Sequence, residues 1–188
     1  MAQPHGMEID WAELPEPVDD GAADHLVGMM LPPVSLGSTS GGAVALSKLS
    51  ETLVLYIYPM TGKPGVLLPR GWNDIPGARG CTPQSCAFRD HFLELKQAGA
   101  SHVFGVSTQT SKVQAEAAQR LHLPFPLLSD AEGDLTEALR LPTFETDQGK
   151  HHKRMTLIAR NGVIAKVFYP VFPPDKDAEN VLNWLSEG

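Results

Sequence analysis

The run Leu53-Val54-Leu55-Tyr56-Ile57-Tyr58, closed by Pro59, constrains this chain more than any other stretch. Six consecutive β-prone residues without polar alternation describe a strand buried on both faces, which requires layers above and below it. Helical and strand patterns then alternate. Phe88, Phe92 and Leu95 recur at helical spacing with Gly99 as a stop, and His102–Val106 is a second strand. Residues 112–121 read as a helix, 125–128 as a short strand and 135–141 as another helix. Residues 155–159 and 163–169 flank Asn161-Gly162, a hairpin signal, and 177–185 close the chain as a helix. The order β-α-β-α-β-α-β-β-α predicts an α/β sandwich. A mixed central sheet, parallel first and ending in an antiparallel hairpin, carries helices on both faces, as in thioredoxin-like domains.

Residues 1–45 differ from the rest: acidic at first, then rich in Pro, Ser and Gly. They read as an extended arm, with a short hairpin allowed, ahead of a domain over 46–188. A hydrophobic content of 42% over 188 residues suffices for a packed core. A net charge of −7 without a dense basic run argues against nucleic acid or an anionic membrane as partner. No apolar run approaches a membrane span, and no secretory leader pattern is visible, so the expected compartment is the cytoplasm. No internal repeat appears. Gly77-Ala78-Arg79-Gly80 is too short for a phosphate loop and lacks the following Lys-Ser/Thr.

The chain has two cysteines, Cys81 and Cys86. In a reducing compartment a lone close pair points to catalysis or redox sensing. Cys81 stands where a Gly/Pro-rich loop hands over to a helix, and Pro83 fits a first helical turn. Free N–H groups and the helix dipole favour thiolate over thiol there, which makes Cys81 the attacking sulfur. On an intact helix, five residues turn the two cysteines apart by about 140° and about 7.5 Å along the axis. A disulfide needs Cα atoms within ~7 Å and facing Cβ atoms. Either Cys81 lies outside the first turn, or that turn unwinds before the sulfurs join.

Gly80-Cys81-Thr82, Cys86 and Phe88-Arg89-Asp90 resemble the active-site run of the peroxiredoxin Q (bacterioferritin comigratory protein) group. The resemblance spans about residues 45–187. It includes Tyr56-Ile57-Tyr58-Pro59, Leu127-Leu128-Ser129-Asp130 and Asn183-Trp184-Leu185. It implies a cofactor-free, metal-free thiol peroxidase acting on hydrogen peroxide or organic hydroperoxides. Cys81 would be peroxidatic and Cys86 resolving, with thioredoxin or glutaredoxin as reductant. It also places Arg154 against the thiolate and peroxide, with Arg79 as a rival in sequence. Pro59 matches the family proline. The family threonine three residues before the cysteine is Ala78 here, because about fifteen residues, Thr61 to roughly Ile75, are inserted. The insertion either loops out and returns Thr61 to the cysteine, or leaves its role to Thr82 or backbone N–H groups.

His151-His152 reads as a solvated loop without a metal-ligand partner, and His91 and His122 as helix-surface positions. Rival functions are a protein thiol–disulfide oxidoreductase, whose usual Cys-x-x-Cys spacing is absent, and a peroxide-sensing switch. The sequence leaves monomer and homodimer open.

Overall fold

The computed structural model describes residues 9–188; the first eight residues of the expected arm lie outside the described residues. Strands β1 (Ser35–Ser38) and β2 (Ala43–Ala45) form a hairpin that precedes the buried strand β3 (Leu53–Ile57). Helices α1 (Cys81–Asp90) and α2 (Phe92–Gln97), strand β4 (His102–Ser107), helix α3 (Ser111–Arg120) and strand β5 (Leu127–Ser129) follow. Next come α4 (Asp134–Leu139), β6 (Thr143–Thr146), β7 (Gly149–His152), β8 (Met155–Arg160), β9 (Val163–Phe168) and α5 (Asp177–Glu187).

The main sheet has the order β2-β1-β5-β4-β3-β8-β9. The crossovers β3–β4 and β4–β5 are parallel, and β8 and β9 add antiparallel strands beyond β3. Every residue of β3 is buried. Its odd positions, Leu53, Leu55 and Ile57, pack with Leu135 and Leu139 of α4 and with Leu26, Leu31 and Leu36 from the amino-terminal region. Its even positions, Val54 and Tyr56, pack with Phe88 of α1, Leu95 of α2 and Val181 and Leu185 of α5. Helices therefore lie on both faces, and the thioredoxin-like sandwich expected from the element order is present.

Three local expectations change. The helical pattern running from Phe88 to Leu95 is two helices, with His91 (φ −94°, ψ 6°) closing α1 and opening α2. His122 follows α3 in a left-handed turn (φ 53°) instead of extending it. The third change concerns His151-His152, which are not in a solvated loop. They end β7, which pairs with β6, and both are buried. His151 packs on Trp72 and Phe144, with ring centroids 5.2 and 5.4 Å away. His152 Nε2 lies 3.3 Å from Asp130 Oδ2 and 2.7 Å from the Thr136 hydroxyl. Strands of four residues, three of them polar in each, gave this hairpin little signature.

Burial raises the Asp130 carboxyl pKa, but hydrogen bonds from His152, Thr136 and the Leu135 amide outweigh it and hold the group below its ordinary range. A depressed carboxyl contributes stability above its unfolded value of about 3.9, lost as pH falls through the folded one. Acid unfolding of Asp130→Asn should therefore lack part of the wild-type stability loss below about pH 4. Identical acid titrations of the two proteins would contradict this.

Gly105 explains how Tyr56 fits the second face. A Cβ at Gly105 would stand 2.5 Å from the Tyr56 ring and 2.6 Å from Leu127. That ring stacks on Phe88 at 4.4 Å with 9° between planes, and its hydroxyl donates to Ser85 at 3.1 Å. Because overpacking of this kind typically costs about 1–3 kcal/mol, Gly105→Ala should lower stability by that amount. Urea unfolding reads it, and an unchanged midpoint would show that the ring has room to move.

Candidate active site

Cys81 is the first residue of α1, directly after Gly80, whose φ of +105° suits glycine. A Cβ there would also stand 2.6 Å from Pro174 and 2.8 Å from Trp11. Gly80 offers no side chain to cap the helix, and Pro83 removes one orphan N–H from the first turn. Cys81 and Cys86 both lie on the continuous helix α1, and both are free thiols. Of the two geometries open at the sequence level, the structure has the one in which α1 must unwind before a bond can form.

The Cys81 side chain is 4% exposed. Its Sγ accepts from the Met60 backbone N–H at 3.4 Å and from Arg154 Nη2 at 3.2 Å, and lies 3.7 Å from the Ala78 carbonyl. Arg154 stands just before β8, beside the parallel core, and is 3% exposed. Its Nη2 also donates to the carbonyls of Gly77, Ala78 and Arg79 at 3.0–3.2 Å. One guanidinium thus ties down the loop ahead of the cysteine and touches the sulfur. Nε of Arg154 is buried and has no partner among the described residues.

Sequence reasoning missed what holds the arginine. Nη1 donates to Gln84 Oε1, Gln84 Nε2 donates to Asp177 Oδ2 at 2.7 Å, and the Thr156 hydroxyl donates to the same oxygen at 2.6 Å. Gln84 and Asp177 are fully enclosed polar side chains. The available signal was position: Gln84 falls one turn after Cys81, on the same helix face.

The insertion loops out. Trp72 anchors it against Phe144 and His151, and Arg70 pairs with Asp147 in the β6–β7 turn at 3.0 Å. Pro59 is buried at the end of β3. Thr61 returns beside the site, but its hydroxyl donates to Gln109 Oε1 at 3.2 Å. Gln109 also accepts from the Thr61 N–H and donates to its carbonyl, which fixes the backbone next to Met60. The donor that meets the sulfur is the Met60 amide. Arg79 points elsewhere, with Nη1 3.4 Å from Asn73 Oδ1. Cys86 is half-buried; burial pushes its thiol pKa up, and Arg89 partly offsets this.

A thioredoxin-like sandwich with a buried cysteine opening a helix, under a guanidinium anchored by backbone carbonyls, defines a thiol-dependent peroxidase. The Redoxin family model matches residues 26–182. A chloroplastic peroxiredoxin Q of Sedum lineare is 32% identical over 161 residues, 84% of this chain and 76% of that one. The counterpart from Suaeda salsa is also 32% identical, over 84% of this chain and 66% of its own. Among solved structures, peroxidoxin BcpB from Mycobacterium tuberculosis superposes with a TM-score of 0.68 at 27% identity. The match covers 86% of this chain and 96% of that one. Peroxiredoxin Q of Xanthomonas campestris, at 21% identity and a TM-score of 0.64 over 93% and 97% of the two chains, shares the fold. The chain belongs to the redoxin family, within its peroxiredoxin Q branch. Among the described residues no helix is long and apolar enough to cross a membrane.

Removing a fixed charge-stabilising donor typically costs about 10²–10³ in rate, so Arg154→Ala should slow peroxide oxidation of Cys81 by that factor. Thr61→Val should slow it far less, because its hydroxyl is spent on Gln109. Stopped-flow kinetics compares the two; equal losses would place the Thr61 hydroxyl on the reaction path.

Proposed function

We propose that Cys81 attacks the hydroperoxide and that Cys86 resolves the product as an intrachain disulfide. The observation that carries this reading is the Cys81 sulfur held between the Met60 N–H and the Arg154 guanidinium, at 3.4 and 3.2 Å. The thiolate attacks the terminal peroxide oxygen and displaces the alkoxide or hydroxide. The O–O bond breaks, Cys81 becomes a sulfenic acid, and the leaving alkoxide takes a proton to depart as alcohol or water. Arg154, whose Nη2 meets the sulfur, stabilises the charge that develops on the oxygens. Cys86 then attacks the sulfenic sulfur, water leaves, and the disulfide closes. An external dithiol restores both thiols. Thioredoxin or glutaredoxin is the proposed donor, and the reducing cytoplasm the proposed setting.

We extend the proposal to organic hydroperoxides on the strength of a neighbouring pocket. A pocket of about 330 Å³ lies against Arg154, with apolar walls from Pro17, Ile75, Phe144 and Pro170. Protein disulfide exchange is less well supported, since the chain lacks the Cys-x-x-Cys spacing that bridges without unwinding a helix.

Cys81→Ser should abolish peroxide consumption with a dithiol reductant. Cys86→Ser should react once, stall as the sulfenate and proceed to sulfinic acid under excess peroxide, read by mass spectrometry. Normal cycling of Cys86→Ser with thioredoxin would remove Cys86 from the resolving role.

A further inference from the structure

A carboxyl group stands at the far end of the hydrogen-bond chain that begins at Cys81, at a position peroxide never reaches. Asp177 opens α5 and is 1% exposed. Its Oδ2 accepts from Gln84 Nε2 and from the Thr156 hydroxyl, while Oδ1 has no partner among the described residues. The chain is directional. A primary amide has a donor end and an acceptor end, a carboxylate only accepts, and a guanidinium only donates. With Asp177 ionised, Gln84 must turn its NH₂ toward α5 and its oxygen toward Arg154, as observed. Protonation of Asp177 removes the charge to which both the Gln84 NH₂ and the Thr156 hydroxyl donate, so the amide loses its charge-assisted anchor and is free to turn over, its oxygen accepting the new O–H. That would set an NH₂ against the guanidinium, donor against donor.

We propose that Asp177 is a positioning residue for peroxide reduction: as a carboxylate it fixes the Gln84 amide, which holds the Arg154 guanidinium on Cys81. The proposal rests on Cys81 being the attacking sulfur. It follows that the arginine is fully held only above the pH at which Asp177 ionises. Burial pushes that carboxyl up to about 6, against the opposing effects of Thr156, Gln84 and the Arg154 charge. The groups around it bear this out. From β8 and the residue before it come Thr156 and Arg154; from α1 comes Gln84, with Cys81 the titratable group beyond. The neighbouring Asp175 and Lys176 turn outward, to Trp11 and Glu179.

The test is stopped-flow oxidation of the reduced full-length protein by hydrogen peroxide, across pH values on both sides of about 6. The wild-type rate should show a step near that pH. Asp177→Asn keeps an acceptor for Thr156 and Gln84 but cannot ionise, and should lose the step. Thr156→Val removes one hydrogen bond to the carboxylate and should move the step upward by about one pH unit, an arm that serves even if Asp177→Asn folds poorly. A step unmoved in either variant would overturn the proposal. Peroxide turnover surviving in Cys81→Ser would instead overturn the assignment beneath it, so the two failures are distinguishable.

Discussion

The Arg154 guanidinium is the contact on which the site depends. It meets three loop carbonyls, the cysteine sulfur and the Gln84 amide. Burying a cation is costly unless its donors are met, and here they are met largely by backbone that must otherwise stay open beside a reactive sulfur. The parallel core makes this possible. β3 ends at Ile57, and the chain just beyond it delivers the Met60 amide from one side, while β8, its antiparallel neighbour, starts just after Arg154 and delivers the cation from the other. Cys81 arrives between them on α1, registered by the Tyr56–Phe88 stack.

In the proposed cycle the same network makes peroxide reduction and resolution mutually exclusive. Cys81 is a helical first residue, and Gln84, one turn on, belongs to the arginine's support. Drawing Cys81 toward Cys86 would unwind that turn and dismantle the support, so on this proposal the folded form reduces peroxide and the frayed form closes the disulfide. Local opening at a helix end has a low free-energy cost compared with global unfolding, which suits it to a step repeated on every turnover.

Much of this was legible in residue order. The unbroken apolar run at 53–58 fixed a doubly covered strand, and the alternation after it fixed the sandwich. Residue order marked Cys81 at a loop-to-helix junction and the family resemblance marked Arg154 before a late strand; the structure brings the two to 3.2 Å. The departures have physical causes. Residues 143–152 fold as a hairpin because they dock on Trp72 from the insertion, a contact across 72 and 151 that no local pattern carries. Thr61 looked like a stand-in for the missing family threonine, but its hydroxyl is taken by Gln109, which lies on the loop after β4. Gln84 and Asp177 were unreadable as a pair, since neither is unusual on a helix and only the α1–α5 packing brings them within 2.7 Å.

The contact between Trp11 and Gly80 carries one more consequence. The indole and Pro174 fill the space a side chain at residue 80 would need, and Pro17 abuts Gly77 in the same loop. Transplanting this active site onto another scaffold as the segment 76–90 alone would leave its outer wall behind. The portable unit is discontinuous: it needs the stretch from Trp11 to Pro17 and the turn at Pro174 along with the cysteines, so this chain's amino-terminal region travels with its chemistry.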